Sequence, residues 1–197
     1  MRPAWSLRAI AVLFAAILPL SGCALTTGHV DLTYEPMAET TKVARPNSPH
    51  VTVEVLDKRP TQAVGQKING LGMKSADIVP NSDVPALLKS AFETELSNRG
   101  FSEGTGGNTI LVRLGNFQNQ YKLGLISGEA TASMGMEVSV IRADGSVAYK
   151  RYIRSERNDW VEITGEDNAQ RMLNAAMRDA VAMVFNDHAF IEAVTKS

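Results

Sequence analysis

The chain has 197 residues, of which 44% are hydrophobic and 21% charged, and its formal net charge is −1. These values exclude a mostly disordered chain, a collagen-like fibre and a multi-span membrane protein, and they fit one domain plus an appendage. So small a net charge gives no basic field to attract nucleic acid, and no nucleic-acid partner is expected.

In chain order, Arg2 and Arg8 flank the start of an apolar run of twelve residues, Ala9 to Leu20, broken only by Pro19. A bilayer-spanning helix needs about 20 residues, whereas a signal-peptide core needs fewer. The run ends at Leu20-Ser21-Gly22-Cys23, which resembles a bacterial lipobox. The chemistry requires a thiol for the thioether to diacylglycerol and small neighbours for peptidase access. Cys23 is the single cysteine of the chain and falls where that thiol is needed. The alternative is an ordinary cleaved leader followed by a stray buried cysteine. Lipidation at Cys23 leaves no disulfide for the mature chain, which must then fold by core burial. Loss of the leader removes two arginines and no acid, so the mature chain is more acidic than its precursor. Two or more acyl chains, of the palmitate kind, would anchor it stably. Ala24 rather than Asp follows the cysteine, which favours the outer membrane over the inner.

Residues 23–49 carry the lipidated N-terminus and a stretch that reads as a tether, with five Thr and three Pro after Cys23. Fully extended it would reach about 85 Å at ~3.3 Å per residue. Within it Val30, Leu32 and Tyr34 alternate and could add a short strand.

One domain is expected over 50–197. Val51, Val53 and Val55 alternate in a half-buried strand that Pro60 ends. Ala63 to Val79 reads as a hairpin around Asn69-Gly70, a type I′ turn. Asn81, Ser82 or Asp83 caps a helix whose stripe is Val84, Leu87, Leu88, Ala91, Phe92 and Leu96, ending at Gly100. Ile110 to Leu114 is a strand. Glu129–Arg142 alternates over a long segment, turns at Asp144-Gly145, and pairs with Val147–Glu156. Gly165 to Asn186 is a second amphipathic helix, with Glu166 and Asp167 at its positive end. A short last helix carries Phe190, Ile191 and Val194. The expected fold class is α+β: an antiparallel sheet of hairpins with two main amphipathic helices on one face, preceded by signal peptide (1–22) and tether.

The order of these pieces resembles the YajG-like family of bacterial lipoproteins. The residues that carry it are the lipobox, Leu32-x-Tyr34-x-Pro36, Val51 to Arg59, Val64-Gly65, the long Ala/Met/Val strand, Asp144-Gly145 and the closing Phe190-Ile191. The resemblance covers about residues 20–195. It implies an outer-membrane lipoprotein facing the periplasm and no catalytic residues. Transport auxiliary lipoproteins and cell-wall synthase activators share the coarse pattern.

Few residues in the sequence are arranged for chemistry. Gly-x-Ser-x-Gly, His-Glu-x-x-His, Ser-x-x-Lys and P-loop motifs are all missing. Gly70-Leu71-Gly72 is a bare Gly-x-Gly that a turn explains. His29, His50 and His188 are far apart, so no metal site and no cofactor are expected. The candidates for ligand or partner binding are Asp57 with Arg59 at a strand end, Arg151 and Arg154 on a basic strand, and Trp160 among the five acids Glu156, Asp159, Glu162, Glu166 and Asp167. For Asp57–Arg59 a surface ion pair is the simpler reading, and for the arginines, cross-strand charges on a wet face. Trp160 is expected in the core or half-buried. Met134, Met136, Met172 and Met183 are expected in the core, with Met177 off the helical stripe. The reading is non-catalytic: an envelope protein partner and a membrane reached through the lipid. The alternative is a periplasmic carrier of a small lipid or cell-wall ligand. An adaptor calls for an exposed apolar patch or a free sheet edge, a carrier for a deep apolar pocket.

Overall fold

The structure is a computed structural model that describes residues 26–69, 71–123, 128–161 and 165–196. Its elements are β1 (Gly28–Val30), β2 (Val51–Asp57), β3 (Gly65–Ile68), β4 (Lys74–Pro80), α1 (Val84–Asn98), β5 (Asn108–Leu123), β6 (Gly128–Ile141), β7 (Val147–Val161), α2 (Glu166–Phe185) and α3 (His188–Thr195). No helix among the described residues is long and apolar enough to cross a membrane.

The seven strands form one sheet in the order β1-β4-β3-β5-β6-β7, with β2 beside the first half of β5. The α+β class is as expected, but the sheet is mixed rather than antiparallel. Strands β5, β6 and β7 form an antiparallel meander, whereas β2 and β3 run parallel to β5, and β1 parallel to β4. The cause is α1: a crossover helix between β4 and β5 lets β5 return in the direction of β2. Alternation in Val51, Val53 and Val55 reports which face is buried, not which way the strand runs.

Strand β5 is sixteen residues long, far beyond the expected Ile110–Leu114. A register shift between Leu114 and Asn116 marks a bulge at Gly115. Before it Ile110, Val112 and Leu114 are buried; after it Phe117 and Asn119 are. The extra residue switches the buried parity from even to odd, so the period appears to end where it changes phase. Strand β7 likewise continues past Glu156 to Val161. The hairpin β3–β4 forms, but its loop is longer than a two-residue turn. The Asn69 carboxamide oxygen accepts from the amides of Leu71 and Met73, and Gly72 takes φ +77°. Gly70 lies outside the described residues.

All three helices cover one face of the sheet. Asp83 caps α1 by accepting from the Ala86 amide, and Gly100 at φ +88° follows its end. The alanines of α2, Ala169, Ala176 and Ala180, pack with Ala130 and Ala132 of β6 in one continuous core. Small residues on both sides let helix and sheet approach closely. Phe92, Phe185, Phe190 and Tyr149 form a chain of ring contacts 5.3–5.5 Å apart that joins α1, α2, α3 and β7. Met134, Met136 and Met172 are buried, as expected. Met177 is also buried and Met183 is exposed, the reverse of the expectation for these two. The stripe on α2 is wider than the spacing indicated, because β6 and β7 both lie beneath the helix.

From Gly28 to Pro49, the stretch expected as a tether packs on this domain. Val30 and Leu32 are buried and Tyr34, Met37, Val43 and Ala44 are half-buried against the core. The Asp31 amide donates to Gln170, and Thr33 exchanges two hydrogen bonds with Asn174, both on α2. The alternation of Val30, Leu32 and Tyr34 supplies the apolar side of this strap.

Candidate functional site

The strap is fastened at a pair of buried charges. Glu95 lies on the apolar stripe of α1 and is fully buried; its carboxylate accepts from the Tyr34 hydroxyl at 2.7 Å, the Met37 amide at 2.9 Å and the Arg99 guanidinium at 2.5 Å. The carbonyl of Arg99 accepts from the amides of Val43 and Ala44, and its guanidinium lies 4.6 Å from the centre of the Phe185 ring. The Glu95 carboxylate has three donors inside the protein, and the Arg99 guanidinium donates to the Glu95 carboxylate and carbonyl, contacts that offset the desolvation of two charges. Burial, and then the adjacent Glu95 carboxylate, push the Tyr34 hydroxyl far above its ordinary range. This cluster did not emerge from the sequence. The available signal was two charged residues four apart on a face otherwise built from Leu88, Phe92 and Leu96.

Among the described residues no helix covers the opposite side of the sheet. Across β5, β6 and β7 it presents Asn116, Gln118, Gln120, Thr131, Ser133 and Asn158 around a shallow trough of about 500 Å³. The Asn116 amide donates to Ser133, and the Thr131 hydroxyl to Asn158. Tyr152 leans over Gly135: a methyl group there would come within 2.3 Å of the Tyr152 hydroxyl oxygen, so glycine makes room for the ring. Tyr152 is 61% exposed all the same. Trp160 stands at the end of this face and is 75% exposed, contrary to the expectation of a core or half-buried side chain. It sits at an even position of β7, as do Tyr152 and Arg154, and even positions point away from the helices.

The other candidates are spread out. Asp57 and Arg59 form a bidentate pair with contacts of 3.0 and 2.8 Å at the exit of β2. The pair lies beside Leu114 of β5, two strands from β7. The Arg59 guanidinium holds the Asp57 carboxyl below its usual range, and the Arg59 side chain is only 4% exposed. The pair is more enclosed than the surface ion pair of the simpler reading. Arg151 points to the helical side and donates to Asp187, the N-cap of α3, which also accepts from Tyr149. Arg154 is on the open face with Glu156 at 3.1 Å. The acids around Trp160 do not converge: Asp159 pairs with Arg171, Glu166 with Lys67 and Glu156 with Arg154. Glu162 lies outside the described residues, as do Cys23 and the lipobox residues Leu20, Ser21 and Gly22.

The electrostatics of these groups is that of fastening. Arg171 holds Asp159, and Lys67 holds Glu166, below the usual carboxylate range. At Asp187 burial acts upward, but the Tyr149 hydroxyl, the Ala189 amide and Arg151 outweigh it and bring the carboxyl down. Burial, then Asp187, raises Tyr149. Each of these shifts moves its group away from neutral pH, opposite to what proton transfer near pH 7 requires. Among the described residues no three His, Cys, Asp or Glu side chains converge as a metal site would require.

Known proteins share this fold. A crystal structure of protein XCC0632 from Xanthomonas campestris is similar, with TM-score 0.60 and 9% identity over 85% of this chain and 96% of that one. A crystal structure of an uncharacterized protein is similar at TM-score 0.54 and 14% identity, over 81% and 96% of the two chains. At such identities these likenesses concern the fold alone. No curated protein matches the chain. The family described as uncharacterized lipoprotein matches residues 36–195, most of the chain and nearly all of the folded domain. The chain belongs to this family of uncharacterized lipoproteins.

Proposed function

We propose that the protein is a lipid-anchored, YajG-like lipoprotein of the outer membrane, facing the periplasm, with a non-catalytic role: it binds a protein partner in envelope maintenance or assembly. In this reading Cys23 carries the acyl chains, and the domain from Gly28 onward is held close to the membrane rather than on a long leash. The observation that carries the reading is the uncovered face of β5, β6 and β7. It offers hydrogen-bonding side chains, Gln118, Gln120, Thr131 and Asn158, with the charged Lys122, Glu129, Arg154 and Glu156 along the same trough, beside two exposed aromatics, Tyr152 and Trp160. Polar adaptable groups around aromatic anchors are the composition of a wet protein interface. The carrier alternative draws less support, because the clefts among the described residues open to solvent: those beside α2 and along the sheet carry many polar side chains, and one of about 890 Å³ beside Val43, Pro46 and Ile191, though more apolar, is as open.

The test is photo-cross-linking in intact cells, with benzoylphenylalanine at Gln120 or Trp160 of the full chain and at Lys89 on α1 as a control. The reading predicts one abundant adduct with an envelope protein from the first two positions, absent from Lys89 and lost in a Cys23→Ser form. Adducts with a second copy of the chain do not count. Equal labelling from all three positions would contradict it.

A further inference from the structure

Strand β7 is the last strand of the sheet, and among the described residues nothing pairs with its outer edge. It is fifteen residues long, unusually long for an edge left open. Leu56, Leu71 and Met73 are large exposed apolar side chains elsewhere, but the others among the described residues lie on or against β7. Val147, Tyr152 and Trp160 belong to β7, and Met183 lies against its middle beside Ile153 and Arg154. An open edge with apolar flanks invites another strand.

The charges along β7 choose that strand. An antiparallel second copy centred on Ser155 would set Arg154 opposite Glu156, Arg151 opposite Asp159, Tyr152 opposite Asn158 and Lys150 opposite Trp160, each twice by symmetry. No like charges oppose one another in this register. Lys150 would meet an indole face, a favourable partner for a cation. A slip that centres on Arg154 sets Arg154 against itself and Arg151 against Arg157. A slip the other way, centred on Glu156, sets Glu156 against itself. Like charges directly opposite in a ladder are destabilising, so both neighbouring registers that keep the helices on one side are disfavoured. Arg154, Arg151 and Asp159 each have an opposite charge within their own protomer, so pairing leaves none of them uncompensated.

We propose that the protein self-associates through β7: two copies join edge to edge, antiparallel about Ser155, into one continuous sheet with both helical layers on the same side. The inference goes beyond the partner-binding reading and does not depend on it. It would place the two open faces side by side and double the area offered to one partner.

Cysteines test the register in cells, since Cys23 is consumed by lipid in the proposed mature chain. In the full chain, Tyr152→Cys with Asn158→Cys places thiols directly opposite across the symmetry axis, while within one chain they are about 20 Å apart at ~3.4 Å per residue. Oxidation should convert this variant to a species of twice the mass. Tyr152→Cys alone, and Lys150→Cys with Tyr152→Cys, should stay monomeric, because their thiols are about 20 Å or more apart between copies. In the cross-linking background, Arg154→Glu should lower the dimer fraction about fivefold, and adding Glu156→Arg should restore it. Two outcomes overturn the proposal: no dimer from Tyr152→Cys/Asn158→Cys in a chain that accumulates normally, or equal dimer from the control pairs. Either would leave the envelope-protein adducts described above unaffected.

Discussion

At one edge of the sheet β1 contributes three residues, Gly28–Val30, and the chain then crosses onto the helices. At the other edge β7 runs for fifteen residues, and among the described residues its outer side is unpaired. Both edges are rich in charge, but the charges serve different ends. Beneath the strap that follows β1 the pair Glu95–Arg99 is buried; Glu95 accepts from the Tyr34 hydroxyl and the Met37 amide, and the Arg99 carbonyl accepts from the Val43 and Ala44 amides. Along β7 the pairs Arg154–Glu156, Arg157–Asp179 and Asp159–Arg171 are exposed and leave the backbone edge free. A buried charge pair fixes one arrangement because losing either partner strands the other. An exposed pair contributes little to stability and can be rearranged when another surface approaches.

The largest expected effect is at the buried pair. Glu95→Ala leaves the Arg99 guanidinium and the Tyr34 hydroxyl without their acceptor and should cost roughly 3–5 kcal/mol in urea unfolding. Next is Tyr34→Phe, which removes one hydrogen bond to a charged acceptor; a loss of about 1–2 kcal/mol is expected, with faster hydrogen exchange confined to residues 28–44. The third prediction concerns acid. Asp57, Asp159, Glu166 and Asp187 have carboxyls held below their ordinary range in the folded state. Such groups stabilise fully above the unfolded pKa, and the contribution fades as pH falls through the folded one. The urea midpoint should therefore be flat near neutrality and decline below about pH 4. Asp187→Asn should flatten that decline, and a midpoint that rises on acidification would contradict the assignment. Smallest is Arg154→Glu, which should leave the urea midpoint unchanged within error while altering association.

How much of this could be read from the sequence depends on where the information lies. The helix from Val84 to Asn98 was legible end to end, because its cap at Asp83, its apolar stripe and its terminal Gly100 are local signals. The β6–β7 turn at Asp144-Gly145 was legible for the same reason, with the Asp144 carboxylate accepting from the Ser146 amide. Strand β5 was half legible, since the bulge at Gly115 shifts the alternation by one. The end of β7 was hidden because its helix-facing residues, Arg157 and Asp159, are polar and find partners on α2. Strand direction needed the crossover through α1. Trp160 was misplaced because a lone indole among acids carries no positional signal, whereas the sheet parity that turns it outward is set ten residues earlier. The strap from Gly28 was read as a tether because its fastening, Glu95 with Arg99, lies some sixty residues away.

The most direct test of the contrast between the two edges is hydrogen exchange read by mass spectrometry on the full lipidated chain in detergent, at low and at high protein concentration. The account predicts slow exchange in 28–44 at both concentrations. It predicts that alternate amides of β7 are open at low concentration and become protected at high concentration. Fast exchange throughout 28–44, with β7 protection that does not depend on concentration, would contradict it.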